Sequence, residues 1–452
     1  MSAENNSKKS SLDFASVGPI FVLVLVDILG LTVILPLLHL YAAAYGATAF
    51  EIGVVAAAFP IAQLIGVPMM GALSDRYGRK PLLLISQITT FISFLILGFA
   101  NSLAMIIFAR VLDGLFGANI ATAQAALSDI TDEENRAQGL GLVGAAFGLG
   151  FIFGPITALI ALEIADSLAA PAFTAAVYSL LSILITTFVF HETLPPDKRG
   201  EAKQTRFNPL VVTRYLRNPN VNILLVVMFA QQVVFFGFES LLGLFTLNRL
   251  GLLGQGNTVI FLVVGITLVI VQGGLIGRWS RKYGERKLVF AALAVLSTGL
   301  IMLALTPEQP HPFYVQRNVA YDLAADDSTS STEAILGEIN VELPDDGNRG
   351  FGGIIWVMIA IIPLSVGSAL LRPSLNSMMT QRVAKGEYGS ILGVSSSFSS
   401  AANAIAPIIG GLLFQQYGAT VPFLLGGIVM FGIFLLSLIT VRPMPGKLSG
   451  QE

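Results

Sequence analysis

Residues 71–81 read GALSDRYGRKP, and they set one Asp, three basic residues and two Gly between two long apolar runs. The chain around them is greasy: of its 452 residues 54% are hydrophobic and 12% charged, with a mean hydropathy of +0.75. A soluble domain carries about a quarter charged residues, so this composition belongs in a bilayer. With no Cys, neither a disulfide nor a Cys-based zinc site can form, and three scattered His make no metal cluster. A net charge of -2 gives no reason to expect a nucleic-acid partner.

Crossing the hydrocarbon core takes about 20 apolar residues. Twelve windows qualify: 17–40, 52–73, 82–100, 103–127, 139–162, 171–190, 221–247, 258–277, 288–306, 352–378, 389–414 and 420–441. The expected fold class is therefore an all-α polytopic membrane protein. The first window is followed by YAAAYG, which could mimic a cleavage site, but it is longer than a signal-peptide core and holds Asp27 near its centre. It reads as a retained helix. An even number of crossings puts both termini on one side, and placing them inside assigns 21 of the 26 basic residues to the cytoplasm. The expected location is the plasma (cell inner) membrane, multi-pass, with both termini cytoplasmic. GALSDRYGRKP then lies between the second and third spans on the cytoplasmic side.

The same stretch exposes a duplication. Shifted by 206 residues, GALSDRYGRK falls on GRWSRKYGER, pairing Gly71, Ser74, Tyr77 and Gly78 with Gly277, Ser280, Tyr283 and Gly284. Further on the offset becomes 252, matching Leu140, Gly141, Pro155 and Ile156 to Leu392, Gly393, Pro407 and Ile408. The added residues fall in the polar stretch 307–350, which carries nine Asp and Glu against two Arg. The expected organisation is a cytoplasmic tail (1–16), a six-helix bundle (17–190), a basic, Pro-rich cytoplasmic linker (191–220), a second six-helix bundle (221–441) and a cytoplasmic tail (442–452). The linker could form a short surface helix. The 307–350 insertion reads as extracytoplasmic, either disordered or a small lid. Such parallel halves are one plan of secondary transporters, although a channel could share it.

GALSDRYGRKP resembles motif A of the major facilitator superfamily, G-x-x-x-D-R-x-G-R-[RK], at every fixed position: Gly71, Asp75, Arg76, Gly78, Arg79 and Lys80. DILGLTVILPLL (27–38), RVLDGLFGANIATAQAALSDIT (110–131) and GLGFIFGP (148–155) are similar to segments of tetracycline-type drug/proton antiporters. The helix 5 antiporter motif normally continues with Gly-Gly, whereas Pro155 is followed by ITAL. The resemblance implies two pseudo-symmetric six-helix bundles, proton-coupled efflux of small hydrophobic or cationic compounds, and no cofactor. It also implies that Asp75 sits near the N-terminal end of the eleventh span and Arg79 near an acid at the end of the fourth, for which Asp129 is the candidate.

An ionisable residue at the centre of a span costs about 2.5 to 3.5 kcal/mol on insertion scales, so each needs a reason. Burial favours the neutral, proton-bound form of Asp27, and a carboxylate shared between proton and cationic substrate would make their binding exclusive; alternatively it bonds a neighbouring helix. Arg110 and Asp113 lie three apart on one helical face, as a permanent ion pair or with Arg110 modulating Asp27. Glu239 is either a second proton or cation site or reaches an outer vestibule. Gly150, Gly154 and Pro155 allow close packing and bending, structural or gating. No G-x-x-x-x-G-K-[ST] is present, which argues against ATP drive. The expected partners are a small-molecule substrate, protons and the lipid bilayer, with the chain a monomer and no metal. A nutrient symporter or facilitator, or a non-transporting receptor or assembly factor, is the alternative.

Overall fold

A computed structural model of the chain describes residues 14–131, 133–165, 167–199, 209–218, 221–323, 340–383 and 387–441. Most of both predicted tails, parts of the linker and the middle of the acidic insertion lie outside the described residues. Among those described there is no strand, and twelve helices are long and apolar enough to span a membrane. They are Val17–Ile34, Ala49–Tyr77, Arg79–Gly98, Leu103–Ile130, Leu142–Ala165, Ala170–Phe188, Asn222–Leu250, Gly254–Tyr283, Glu285–Ala304, Gly352–Thr380, Ser390–Tyr417 and Val421–Thr440. Each overlaps one predicted window. Helix is the form that satisfies every backbone polar group without water, and large apolar side chains along the spans, Ile164 (80% exposed) and Ile439 (82%) among them, face outward, as they do on a lipid-facing surface.

Three local features depart from the windows. The first span stops at Ile34, two residues before Pro36, and a separate short helix, Leu38–Ala43, follows. Proline drives its predecessor out of helical geometry, so the break falls where the sequence requires it. The fourth span is interrupted at Gly117–Ala118, where the Phe116 carbonyl accepts from Ala118 N–H at 2.8 Å and from Ser86 Oγ at 2.5 Å. The stretch 71–81 is mostly helix: the second span runs to Tyr77 and the third begins at Arg79, so the reversal falls on Gly78 alone. Its φ of +109° is open to glycine and strained for other residues.

One compact unit comprises Met1–Ile34, Ala62–Ala100 and Phe108–Thr205. Its core joins Val17, Ile20, Leu23, Val24 and Ile28 of the first span to Leu83, Ala123, Leu127, Val143 and Ala146.

A second unit comprises Leu35–Ile61, Asn101–Ile107 and Arg206–Glu452. Its interior is rich in leucine, with Leu242, Leu247, Leu293, Leu296, Leu364 and Leu371 fully buried alongside Phe245 and Phe423. The linker contributes a helix, Pro209–Arg217, whose Tyr215 is buried while Arg214 pairs with Glu387 at 2.7 Å. The described ends of the acidic insertion are ordered. Tyr314 is fully buried against Gly251 and donates to the Pro344 carbonyl at 2.8 Å, His311 N–H donates to Leu250 O, and Arg249 pairs with Glu308 at 3.0 Å. A buried aromatic of this size contributes about 1.5–3 kcal/mol, enough to pin the segment to the end of the seventh span. Burial pushes the Tyr314 hydroxyl well above the usual phenol range.

Candidate functional site

The turn at Gly78 organises a charged network inside the first unit. Arg79 is 7% exposed, and its guanidinium donates to Asp129 (Nε, 2.9 Å), to Asp75 (Nη1, 2.5 Å) and to Ser74 Oγ (Nη1, 3.0 Å). The planar fork lets one cation hold two carboxylates from the second and fourth spans. Asp129 also accepts from Thr193 Oγ1 at 3.3 Å. Arg76 is exposed and lies over the Tyr77 ring, and Gly71 borders open space.

Glu192, just past the sixth span, was not singled out by the sequence. Its carboxylate accepts from the backbone N–H of Arg79 at 2.9 Å and of Lys80 at 3.2 Å, and pairs with Arg199 at 3.5 Å. It therefore caps the third span with negative charge where free N–H groups and the helix dipole favour it. Lys80 Nζ in turn donates to the carbonyls of Thr187 and Phe190 at the end of the sixth span, at 3.0 and 2.8 Å. The available signal was an acid, Glu192, at the very start of a linker in which basic residues outnumber acidic ones.

A second cluster lies within the membrane-spanning part of the same unit. Both Asp27 oxygens are buried and have no hydrogen-bond partner. Gln87 of the third span and Ser182 of the sixth stand beside Asp27, joined to each other by a 2.8 Å bond from Gln87 Nε2 to Ser182 Oγ. Asp113 is near enough for its charge to act on Asp27. Arg110 and Asp113 are both buried, Nη1 to Oδ2 at 3.4 Å, and Thr90 Oγ1 donates to the other Asp113 oxygen at 2.9 Å. The cluster thus sets two carboxylates against one guanidinium, with the guanidinium on Asp113. A buried carboxylate whose neighbouring amide and hydroxyl are bonded to each other is costly to ionise.

The fifth-span motif holds this region together. Thr32 Oγ1 donates to Ile28 O and Gly150 O at 2.8 and 2.9 Å. A Cβ on Gly150 would strike Ile28, and one on Gly154 would strike the Thr32 hydroxyl. The first span is therefore pressed onto the fifth within about a turn of Asp27. Pro155 lies inside that fifth helix. Glu239 lies apart from these residues in chain and unit, on the seventh span, half-buried.

The sequence profile described as Major Facilitator Superfamily matches residues 20–317 and 350–452, so the internal gap, 318–349, falls within the acidic insertion. Tetracycline resistance protein class B of Escherichia coli is 26% identical over 438 residues, covering 95% of each chain. Multidrug resistance protein 2 of Bacillus subtilis (strain 168) is 25% identical over 419 residues, covering 91% of this chain and 92% of that one. Among solved structures, the human organic anion transporter MFSD10 (TETRAN) superposes with a TM-score of 0.64 at 21% identity, covering 96% of this chain and all of that one. The nucleoside transporter NupG gives 0.71 at 11% identity over 94% and 99%. With twelve spans, a duplicated charged turn and a profile match along most of its length, the chain belongs to the Major Facilitator Superfamily and is an integral multi-pass membrane transporter of small molecules.

Proposed function

We propose that the chain is a proton-driven exporter of small hydrophobic or cationic compounds, working by alternating access as a monomer, in the cell inner membrane with both termini cytoplasmic. The observation that carries this reading is Asp27, buried and without a hydrogen-bond partner beside an Asp113 that already holds Arg110. Asp27 takes a proton because burial penalises a carboxylate whose neighbours Gln87 and Ser182 are bonded to each other, and a cationic substrate competes with that proton for the same charge. Exclusive occupancy of one carboxylate is antiport. Arg110 and Asp113 set the local charge, Glu239 is a second proton or cation site, and the clasp of Thr32 on Gly150 and Gly154 with Pro155 controls leakage. Gly71, Asp75, Arg76, Gly78, Arg79, Lys80 and Asp129 form a cytoplasmic latch. The resemblance to tetracycline and multidrug resistance proteins supports efflux.

Proteoliposomes carrying an imposed proton gradient test the reading, with tetraphenylphosphonium and tetracycline as probes. The parent chain is expected to move one of them against its gradient only when protons flow the other way. Asp27→Asn is expected to lose at least about 10-fold of that coupled transport, the scale of one interaction worth 1.4 kcal/mol. Movement that ignores the proton gradient, or an Asp27→Asn chain that behaves like its parent, contradicts it.

A further inference from the structure

His39 belongs to none of the groups described so far, yet it is a titratable side chain only 4% exposed, and its Nε2 has no hydrogen-bond partner. It lies on the short helix Leu38–Ala43, inside the second unit, in a seam of unusually close contacts. The imidazole fills the space a Cβ would take on Gly243 of the seventh span. Asn257 of the eighth span reaches the same place and donates from Nδ2 to the Pro36 carbonyl at 2.5 Å. Nearby in the unit, a Cβ on Gly53 would strike the Pro407 carbonyl, and one on Gly411 would lie 2.5 Å from the Ala49 carbonyl. Phe50 N–H donates to Gln415 Oε1 at 3.1 Å, and Asn340 of the acidic insertion donates to Gly46 O at 2.5 Å. This is the side that the proposed topology assigns to the exterior.

We propose that His39 is a proton-operated gate: extracytoplasmic protons bind it only when this seam opens, so acidity outside favours the outward-open form. The seam has no place for an imidazolium. A charged ring is a donor at both nitrogens, and Nε2 has no acceptor in the closed arrangement. The helix carrying His39 adds only Tyr41 as a titratable group, and the eighth span adds none between Gly254 and Ile270. The seventh span supplies Glu239, one turn from Gly243 on the same face, and Arg249, which is engaged by Glu308 and Thr306 O. Among the described residues no carboxylate bonds Nε2. Once hydrated, an imidazole titrates near its ordinary value of about 6.5, so opening takes up a proton from outside and closing returns it. Alternating access is assumed here; a role for Asp27 is not.

The absence of Cys makes the test direct, since Ala49→Cys places one thiol in the seam. Outward-facing vesicles are treated with a membrane-impermeant maleimide at about pH 5.5 and about pH 7.5, on either side of the ordinary imidazole value. Each rate is divided by that of Phe313→Cys, an exposed position on the insertion, at the same pH, which cancels thiolate chemistry. The normalised rate is expected to rise about fivefold on acidification, a modest population shift. In His39→Gln it is expected to be flat, and His39→Asn gives the same readout should the Gln chain fail to insert. A flat ratio in the parent, or an equal rise without His39, overturns the proposal. Adding Asp27→Asn separates the two readings: the acid response is expected to survive even though coupled transport is lost.

Discussion

The turns at 74–80 and 280–286 are two copies of one design with their central charges exchanged. Both reverse on a glycine of positive φ, Gly78 at +109° and Gly284 at +76°. Both use the basic residue two positions on to tie down another helix end: Lys80 donates to Phe190 O at 2.8 Å, and Arg286 to Val441 O at 2.7 Å. Both set a serine against the side chain that follows the glycine, Ser74 with Arg79 at 3.0 Å and Ser280 with Glu285 at 2.7 Å. Where the first copy has Asp75 and Arg79, however, the second has Arg281 and Glu285. Arg79 is buried between two carboxylates, whereas Glu285 accepts from two hydroxyls, the second being Ser377 at 3.0 Å, and Arg281 is exposed. The glycine and the basic tie are what folding the turn requires, and the ion network is an addition to one copy. An addition not needed for the reversal is where a latch would be built.

Substituting both copies should break the comparison in a graded way. The largest difference is expected between Arg79→Ala and Glu285→Ala. Removing Arg79 leaves Asp75 and Asp129 without their shared cation, which should cut transport at least about 10-fold, while Glu285→Ala gives up two hydroxyl bonds at about 1 kcal/mol each and retains most transport. Equal losses in transport assays at matched expression would show that the exchange of charge carries no function.

Next in size are Gly78→Ala and Gly284→Ala. Both pay about 1–3 kcal/mol for an alanine in a positive-φ, extended-ψ region that is essentially glycine's alone, but a Cβ at residue 78 also meets the Glu192 carboxylate, and one at 284 meets nothing. Thermal unfolding in detergent should rank Gly78→Ala as clearly the less stable.

The smallest effect is expected from Glu192→Gln. The carboxylate offers one oxygen to Arg79 N–H and the other to Lys80 N–H; the amide keeps a single acceptor and loses the charge that favours a helix N-terminus, worth about 0.3–1 kcal/mol when exposed to salt. Its melting temperature should fall slightly, and the difference from the parent should shrink as salt is raised.

Hydropathy made the twelve spans readable, because an all-round apolar helix needs no tertiary information to be recognised. The duplication was readable because Ser74, Tyr77 and Gly78 recur in register. What the sequence withheld was whatever depends on distant helices meeting. Gln87 and Ser182 border Asp27 from the third and sixth spans, and no spacing along the chain connects them to it. Glu192 caps a helix more than 100 residues upstream, and Thr32 explains Gly150 and Gly154 only once the first and fifth spans touch. Asp129 was within reach from the motif because its partner's role was attached to the end of the fourth span. The carbonyl at the interruption is met by a hydroxyl of another helix, Ser86. Pro36 did announce its break, but the hydropathy of a whole span is insensitive to a single residue.

Proton release on substrate binding tests the central claim most directly. Purified chain in weakly buffered detergent is mixed with a lipophilic cation such as tetraphenylphosphonium while a dye follows pH. The account predicts that the parent releases about one proton per cation bound from a single shared carboxylate, and that Asp27→Asn releases none even at concentrations where the cation still binds. Equal release from both chains would show that the exchanged proton sits elsewhere and would contradict the assignment of Asp27.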